Sequence, residues 1–452
     1  MSNLASKDLT KGPIMRQLMT LAAPIMATSF IQMAYSLTDT AWVGRLGSRE
    51  VAAIGTISLV MWAAQTFTNL NKIGSEVTVS QAIGAQDSSL AKQYATHNVT
   101  MSLVISVVLG TLLFLLAPQI VSIFELEESI ASMSINYLHI LSTSLPFFFL
   151  ANTFTGIYNA SGHTRVPFYI SGVGLIFNMI LDPILILKFH WGTQGAAIAT
   201  WLAQALVFGL FLYRLHKDKL LGGFKLLGTL KQKESWHIFK IGAPVSGFTL
   251  LHCFVNIYLM RMASTVGGHI GVMSLGTGSE IEAITWNTSQ GVSTALSTFV
   301  AQNYAAKCYK RVVKSIQKVL SIGCIFGFFT SLLFIFAGKQ IFAIFVPEEE
   351  AFRAGGEYLF VLGFSQFFML IEIIMQGIFY GIGRSVPPAI NSVVFNYMRI
   401  PLAIFFVSLG MGLDGIWWGI TVGTILKGIC IFSWFILIRK SIFKIKRYKI
   451  TM

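Results

Sequence analysis

Residues 156–167 read GIYNASGHTRVP, and residues 377–388 read GIFYGIGRSVPP. Both stretches begin with Gly-Ile, carry a further glycine six positions after the first and end on proline, and their numbering differs by 221. Glycine and proline in this order are typical of a helix end followed by the start of a new helix. The same helix end at equal positions of two halves predicts an internal duplication.

Other matches extend the duplication along the chain. All of them keep their order, and their offset in numbering varies only from 218 to 221. They are Ala23-Pro24 with Ala243-Pro244, Gln81 to Ala85 with Gln302 to Ala306, Asn178 and Pro183 with Asn396 and Pro401, and Gly192 and Gly195 with Gly412 and Gly415. A nearly constant offset over this length indicates one repeated unit rather than chance similarity.

The composition indicates that lipid surrounds the chain. Of its 452 residues, 54% are hydrophobic and 12% are charged, whereas soluble proteins carry about 25% charged residues. Apolar stretches of about 20 residues, the length that crosses a bilayer, recur from one end to the other. They predict an all-α membrane protein with helices at 14–44, 51–82, 94–123, 131–160, 164–190, 193–215, 236–264, 271–302, 311–337, 352–381, 385–410 and 413–438.

Twelve predicted helices and one repeat give two six-helix bundles. We expect a first lobe at 1–215, a flexible cytoplasmic linker at 216–235, a second lobe at 236–438 and a basic tail at 439–452. Because six spans return the chain to its starting side, the two bundles should be related by a pseudo-two-fold axis along the membrane normal. Their interface is then the expected solute path, opened to each side in turn.

The net charge of +14 does not indicate nucleic acid, because the basic residues follow a membrane topology. They concentrate at the N-terminus, in the linker, at 307–318 and in the tail. The positive-inside rule therefore places both termini and the linker in the cytoplasm, in a multi-pass protein of the plasma or inner membrane. The four cysteines lie far apart without CxxC spacing, so neither a metal site nor a disulfide framework is expected.

Charged side chains inside predicted spans are candidate functional residues, since they are unfavourable in hydrocarbon unless paired or facing a cavity. In the first half these are Asp39 and Asp182, both towards the outer leaflet. Two carboxylates that share a desolvated pocket can load and unload protons near neutral pH. The second half has Met260 and Arg399 near the equivalent positions, so the acidic pair belongs to one half. Helix capping by each aspartate, or a bond to a neighbouring hydroxyl such as Thr38 or Thr40, is the structural alternative.

The second half carries its own charges inside predicted spans. Glu282 and Glu372 could pair with Arg261, Arg399 or Lys427, or they could bind substrate or an ion directly. The sequence leaves these alternatives open. It also assigns no role to Lys72, Lys427, Glu76 or Glu280.

Several of these motifs together resemble the multidrug and toxic compound extrusion (MATE) transporters over essentially the whole chain. They are Ala-Ala-Pro at 22–24, the run Asp39-Thr-Ala-Trp-Val-Gly44, the Gln-x-x-Gly/Ala-Ala motifs at 81–85 and 302–306, and the segment 156–167. The resemblance is closest to the DinF-like branch. It implies a proton site in the first lobe formed by Asp39 and Asp182 with the companion residues Tyr35, Asn178 and Thr200, and a helix bend at Pro24.

The resemblance further implies antiport, in which amphipathic, mostly cationic organic compounds leave the cell while H⁺ enters. Na⁺ is the alternative coupling ion, because the same oxygen atoms at Asp39 and Asp182 could bind it. The sodium-type branch has acidic residues in helices seven and ten, whereas this chain has Glu372 in helix ten but Arg261 in helix seven. A flippase for lipid-linked or polyanionic precursors is the second alternative, favoured mildly by Lys72, Arg261, Arg399 and Lys427.

No enzyme motif accompanies this pattern. The sequence contains no HExxH, GxSxG or GxxxxGK[ST] run, so neither hydrolytic chemistry nor direct pumping by ATP is expected. We expect no cofactor, no nucleic-acid partner and a monomer in lipid.

Overall fold

The computed structural model describes residues 6–43, 48–124, 126–345 and 348–442. Within these ranges the secondary structure is helical, without a β-strand. The first helices are α1 (Ile14–Val43), α2 (Ser48–Gln65), α3 (Thr68–Gly84), α4 (Ser88–Leu115), α5 (Ala117–Ser122), α6 (Glu128–Ala160), α7 (Arg165–Pro183) and α8 (Gly192–Asp218). The others are α9 (Gln232–Ala305), α10 (Tyr309–Phe345), α11 (Glu349–Gly381), α12 (Val386–Phe406) and α13 (Gly412–Ile442).

Nine helical segments of the described ranges are long and apolar enough to cross a bilayer. Two of them, Gln232–Ala305 and Val386–Arg439, contain 74 and 54 residues. Since one span needs only about 20 residues, each of these two segments holds two predicted helices. Large apolar side chains such as Phe336 and Leu437 are 77% and 79% exposed, which suits a surface that faces lipid. The chain is therefore a multi-pass membrane protein.

The structure breaks one predicted helix and shows a glycine break between two others. The predicted helix 51–82 is broken between α2 and α3, where the hydroxyls of Thr66 and Thr68 each donate to the carbonyl three residues earlier, at 2.7 Å. Such bonds compete with the helical ones and favour a turn. The predicted helices 236–264 and 271–302 both lie within α9, where the non-helical backbone of Gly268 (φ 54°, ψ −139°) separates them. Only glycine adopts this backbone conformation readily.

The chain divides into two compact units, and their limits do not coincide with the limits of the two sequence repeats. The first unit comprises Met1–Gly12 and Met19–Ser246, and the second comprises Pro13–Leu18 and Gly247–Met452. The start of α9 therefore belongs to the first unit, because Gly242 packs against α3 so closely that a Cβ there would meet the backbone of Leu70. The start of α1 belongs to the second unit, where Arg311 donates to the side chain of Gln17 at 3.0 Å.

Each unit is organised around one long helix of 33 residues. In the first unit α6 packs against α3, α4 and α8, and in the second α11 packs against α10 and α13. A Cβ added to Gly156 of α6 would lie 2.4 Å from the carbonyl oxygen of Lys72, and one added to Gly377 of α11 would lie 2.4 Å from that of Ser293. These glycines permit the same close helix contact in both units.

Unusual backbone conformations also recur at the repeat distance. Gly162 and Gly383 have φ values of 78° and 77°, and Gly192 and Gly412 have values of 55° and 56°. A π-helical turn follows α7 at Ile184–Lys188 and another follows α12 at Val407–Met411. The duplication therefore extends to the individual dihedral angles of the turns.

The linker is attached to the first unit, whereas we expected it to be flexible. The Thr96 hydroxyl of α4 donates to the Lys225 carbonyl at 2.6 Å, and the Gly228 amide donates to the Thr100 hydroxyl at 3.2 Å. The Lys231 amide donates to Nε2 of His97, whose Nδ1 lies 2.7 Å from the Gln93 carbonyl. The segment 225–231 is thus held along α4.

Candidate functional site

The last turn of α7 carries a buried carboxylate. Asp182 and Asn178 are both fully buried, and Nδ2 of Asn178 donates to Oδ1 of Asp182 at 3.2 Å. Their spacing of four residues places the two side chains one above the other on a single helix face. The sequence predicted both residues as parts of one site, and the structure brings them into contact.

The backbone next to Asp182 departs from a regular helix. Pro183 ends α7 and the π-helical turn Ile184–Lys188 follows it. In α8, a Cβ added to Gly195 would lie 2.8 Å from the carbonyl oxygen of Leu185, so this glycine lets α8 pack directly on the turn. π-helical turns are frequent at functional sites, because they redirect the groups around them. The carboxylate therefore lies directly before an irregular stretch of backbone.

Thr200 of α8 was predicted as a companion of this site. Its side chain is 8% exposed, and its hydroxyl has no hydrogen-bond partner among the described residues. The amide oxygen of Asn178 is also without a partner in that part of the chain. Buried polar atoms are normally satisfied. This region of the first unit thus retains hydrogen-bonding capacity for an ion, water or a further side chain.

Two predicted site residues are beyond what can be assessed in the structure. The backbone of Tyr35 and Asp39 belongs to α1, but the structure does not describe their side chains. The pairing of Asp39 with Asp182, and the alternative Na⁺ site between them, stay predictions. Among the described residues there is no group of three or more His, Cys, Asp or Glu side chains arranged to hold a metal ion.

Pro24 lies inside α1, where it interrupts the helical hydrogen bonding. Proline has no amide hydrogen, so it cannot donate to the carbonyl of Thr20, four residues earlier. The hydroxyl of Thr164, directly before α7, donates to this carbonyl instead, at 3.5 Å. The Thr28 hydroxyl donates to the Pro24 carbonyl at 2.8 Å. Side chains thus satisfy carbonyls around the proline on both sides.

The second unit holds its carboxylate differently. Oε2 of Glu372 in α11 lies 3.6 Å from Nζ of Lys427 in α13, and both side chains are largely buried. Oε1 accepts bonds from the Gln376 amide and, at 3.3 Å, from the Ser392 hydroxyl. Of the pairings that the sequence left open, this one is present in the structure.

The remaining predicted residues of the second unit divide into two groups. Glu282 accepts a 2.9 Å bond from the Gln366 amide, and Arg399 donates to the Thr424 hydroxyl at 2.8 Å. Arg399 acts electrostatically on both Glu282 and Glu372 without forming an ion pair in the described ranges. Arg261 is exposed and likewise forms no ion pair there. The structure therefore gathers Glu282, Glu372, Arg399 and Lys427 and leaves Arg261 apart.

One buried carboxylate was noticed in the sequence but given no role. Glu76 of α3 is 4% exposed, and its Oε1 accepts a 3.0 Å bond from Nδ2 of Asn159 in α6. The signal available in the sequence was a charged residue in a predicted span. Its partner lies far along the chain and could not be inferred without the packing of α3 on α6.

Comparison with known proteins places these sites in a family context. A model of the MatE family matches residues 24–184 and again residues 244–405. The limits of the second match follow those of the first at the offset of the internal repeat. Each half of the chain therefore carries one copy of the family's repeat.

Relatives of similar length match nearly the whole chain. The probable multidrug resistance protein NorM of Thermotoga maritima is 27% identical, with 92% of this chain and 90% of the relative covered. The multidrug export protein MepA of Staphylococcus aureus is 25% identical, with 91% of each covered. The structure of a MOP superfamily transporter from Pyrococcus furiosus, described as having a binding pocket of reverse polarity, has a TM-score of 0.90 at 22% identity, with 99% of both chains covered.

Proposed function

The chain belongs to the MATE family of transporters, and from this premise we propose that it is a secondary active multidrug efflux antiporter. It exports amphipathic, mostly cationic organic compounds in exchange for H⁺, by alternating access, and it is not an enzyme. It resides in the plasma or inner membrane with both termini in the cytoplasm. The names of the relatives, a multidrug resistance protein and a multidrug export protein, support the substrate class.

The buried contact of Asp182 with Asn178 carries the proposal of proton coupling. A carboxylate out of water, next to an irregular helix end and unpartnered polar atoms, suits reversible protonation, because its charged form is the one that burial disfavours. Asp39 completes this site with Tyr35 and Thr200, as the family resemblance implies. Protonation there changes the charge of the first unit by one and so favours one access state over the other.

Pro24 has a conformational role in this proposal. With the Thr20 carbonyl released from the regular helical pattern, α1 can bend at this level at small energetic cost. In Pro24→Ala the amide hydrogen returns and α1 stiffens. We expect this variant to bind substrate like the parent and to transport it more slowly, which paired measurements of dye binding and dye uptake will test.

The proposal is tested by uptake of a fluorescent cationic dye into proteoliposomes under an imposed proton gradient or an imposed sodium gradient. The parent is compared with Asp39→Asn and Asp182→Asn. Asp218→Asn is the matched control, because Asp218 is another buried aspartate of the first unit, paired with Arg214 at 3.3 Å at the end of α8. Uptake driven by protons, lost in both site variants and kept in the control, supports the proposal. Uptake driven by sodium alone would mean that Na⁺, not H⁺, is the coupling ion, with the same residues as its ligands.

A second candidate function rests on the second unit. Its Lys427 and Arg399 are partly buried cations that suit an anionic substrate, and the Pyrococcus furiosus transporter is described by a pocket of reverse polarity. A flippase for lipid-linked or polyanionic precursors would use such cations to hold phosphate groups. If neither gradient moves the dye, translocation of a fluorescent polyprenyl phosphate by the same vesicles tests this candidate.

A further inference from the structure

Glu76 lies in the first unit but outside the site around Asp182. The residue is 4% exposed, and its carboxylate accepts one hydrogen bond, from the side-chain amide of Asn159 at 3.0 Å. Lys72, one turn earlier in α3, acts on it electrostatically, but the described residues contain no ion pair between the two. A carboxylate buried without an ion pair is costly to keep charged. The buried charge therefore lowers the stability of the fold, unless the carboxylate is protonated or internal water solvates it.

Polar atoms without partners lie on α3 and on the helices packed against it. Among the described residues, both amide atoms of Asn71, the Ser75 hydroxyl and the amide oxygens of Asn98 and Asn159 lack hydrogen bonds, although these residues are at most 2% exposed. Together with Glu76 we call them the Glu76 cluster. Buried polar groups of this kind are usually satisfied by internal water, which also conducts protons.

The members of the cluster lie at two contacts of α3. Asn71 and Ser75 lie one turn apart on α3, and a Cβ at Gly156 of α6 would lie 3.0 Å from that of Ser75. A Cβ at Gly74 would lie 3.0 Å from the amide oxygen of Asn98 in α4. The cluster thus occupies the contact of α3 with α6 and α4.

The depth of Glu76 differs from that of Asp182. The ends of α3 and α6 and the start of α7 lie on the same side of the bundle, because α4 and α6 each cross it once. Glu76 is eight residues from the end of α3, or about 12 Å along the axis, and Asp182 is seventeen residues from the start of α7, or about 26 Å. Glu76 is therefore nearer the side of the linker, which the proposed topology makes cytoplasmic.

The second unit shows that the fold does not require an acid here. The repeat distance of 221 places Ser297 and Tyr380 where the first unit has Glu76 and Asn159, and Ser293 where it has Lys72. Ser297 and Tyr380 are buried as well, at 3% and 8% exposure. A neutral pair thus fills the equivalent helix contact, and the carboxylate is confined to the unit that also carries Asp182.

We propose that Glu76 is a second proton-binding carboxyl group of the first unit, which receives the proton released at Asp182 and passes it to water on the side where α3 ends. Only O–H bonds are exchanged, between carboxylate, water and hydronium. The inference rests on the proposed proton coupling. Lys72 is the charged group that acts on Glu76, and α6 presents the neutral Asn159 to it.

Infrared difference spectroscopy of the full-length protein in vesicles tests the proton site without any substrate. Protonated carboxyl groups give a carbonyl stretching band that appears as pH falls. We expect Glu76→Gln to lack one such band of the parent and Asp182→Asn to lack another. If the pH-dependent bands of Glu76→Gln match those of the parent, the inference is overturned, whatever the dye experiment shows.

Transport then tests the relay. We expect Glu76→Gln to keep dye binding and dye–dye exchange but to lose at least about tenfold in proton-driven uptake, as for removal of a positioned proton-transfer group. Glu76→Asp should retain uptake. If Glu76 only neutralises Lys72, the double variant Lys72→Met/Glu76→Gln recovers parental uptake, and the relay is wrong. A parent without proton-driven uptake refutes the proposed function instead, while the infrared bands still decide whether Glu76 binds a proton.

Discussion

The two units share a backbone and differ in how they hold three buried carboxylates, those of Asp182, Glu76 and Glu372. In the first unit, amide side chains contact Asp182 and Glu76, at 3.2 and 3.0 Å. In the second, a lysine lies 3.6 Å from Glu372. An amide leaves a carboxylate able to change its charge, whereas a neighbouring ammonium stabilises the charged form. Duplication thus supplied two similar frames, in which Asp182 and Glu76 contact amides and Glu372 contacts a lysine.

The largest expected difference concerns transport. Asp182→Asn should reduce proton-driven dye uptake to the level of empty vesicles, because the variant can no longer exchange a proton at this position. Glu372→Gln should reduce uptake only in proportion to any loss of folded protein. The measurement is the initial uptake rate per folded transporter, quantified by size-exclusion chromatography. Equal losses in both variants would remove the functional distinction between the units.

The next prediction concerns stability of the ion pair. Lys427→Met leaves Glu372 buried without its cation and should lower the free energy of unfolding by about 3–5 kcal/mol. The double variant Lys427→Met/Glu372→Gln should recover most of this loss, because no charge is left alone. Thermal unfolding in detergent measures both. A single variant as stable as the parent would show that the pair is not a fixed element of the second unit.

Matched glycine substitutions test the equality of the two frames. Gly156→Ala and Gly377→Ala should each destabilise by about 1–3 kcal/mol, because both force a Cβ against a backbone carbonyl at the same distance. Gly209→Ala and Gly276→Ala are controls, since a Cβ at either position has nothing within 4 Å. Denaturant unfolding compares the four. A loss at one contact only would mean that the repeated packing is not energetically equal.

The smallest effect is expected at the linker, which the first unit holds. His97→Phe removes the acceptor of the Lys231 amide and should weaken the attachment by about 0.5–1.5 kcal/mol. Hydrogen exchange at the amides of 228–231 should become faster by the corresponding factor. The amides of 306–312, at a turn of the second unit, serve as the reference. Unchanged exchange at 228–231 would show that other bonds hold the linker.

The repeat and the helical fold were predictable because they depend on local signals. Gly162 and Pro167 mark the end of one helix and the start of the next by their own conformational preferences, and their counterparts Gly383 and Pro388 do the same. The break between α2 and α3 was missed because it depends on threonine hydroxyls, which also occur within regular helices. The separation of helices 236–264 and 271–302 was predictable, because Gly268 between them readily adopts a backbone conformation that is not helical.

The site was predictable only as far as residue type. A carboxylate in hydrocarbon signals function, so Asp182, Glu282 and Glu372 were found. Their partners depend on which helices meet at which depth, and this choice follows from packing of the whole unit. Lys427 was therefore one of three candidates for Glu372, and the contact of Glu76 with Asn159 was not foreseen.

The crossed limits of the two units have a consequence for biogenesis. Residues 232–246 complete the first unit, so this unit cannot reach its final packing when the sixth predicted helix leaves the ribosome. It must wait until the start of α9 has been synthesised. The first turns of α1 wait longer, since the bond from Arg311 to Gln17 joins residues 294 positions apart. The start of α1 is made early and settles among the last, which makes the order of membrane insertion different from the order of folding.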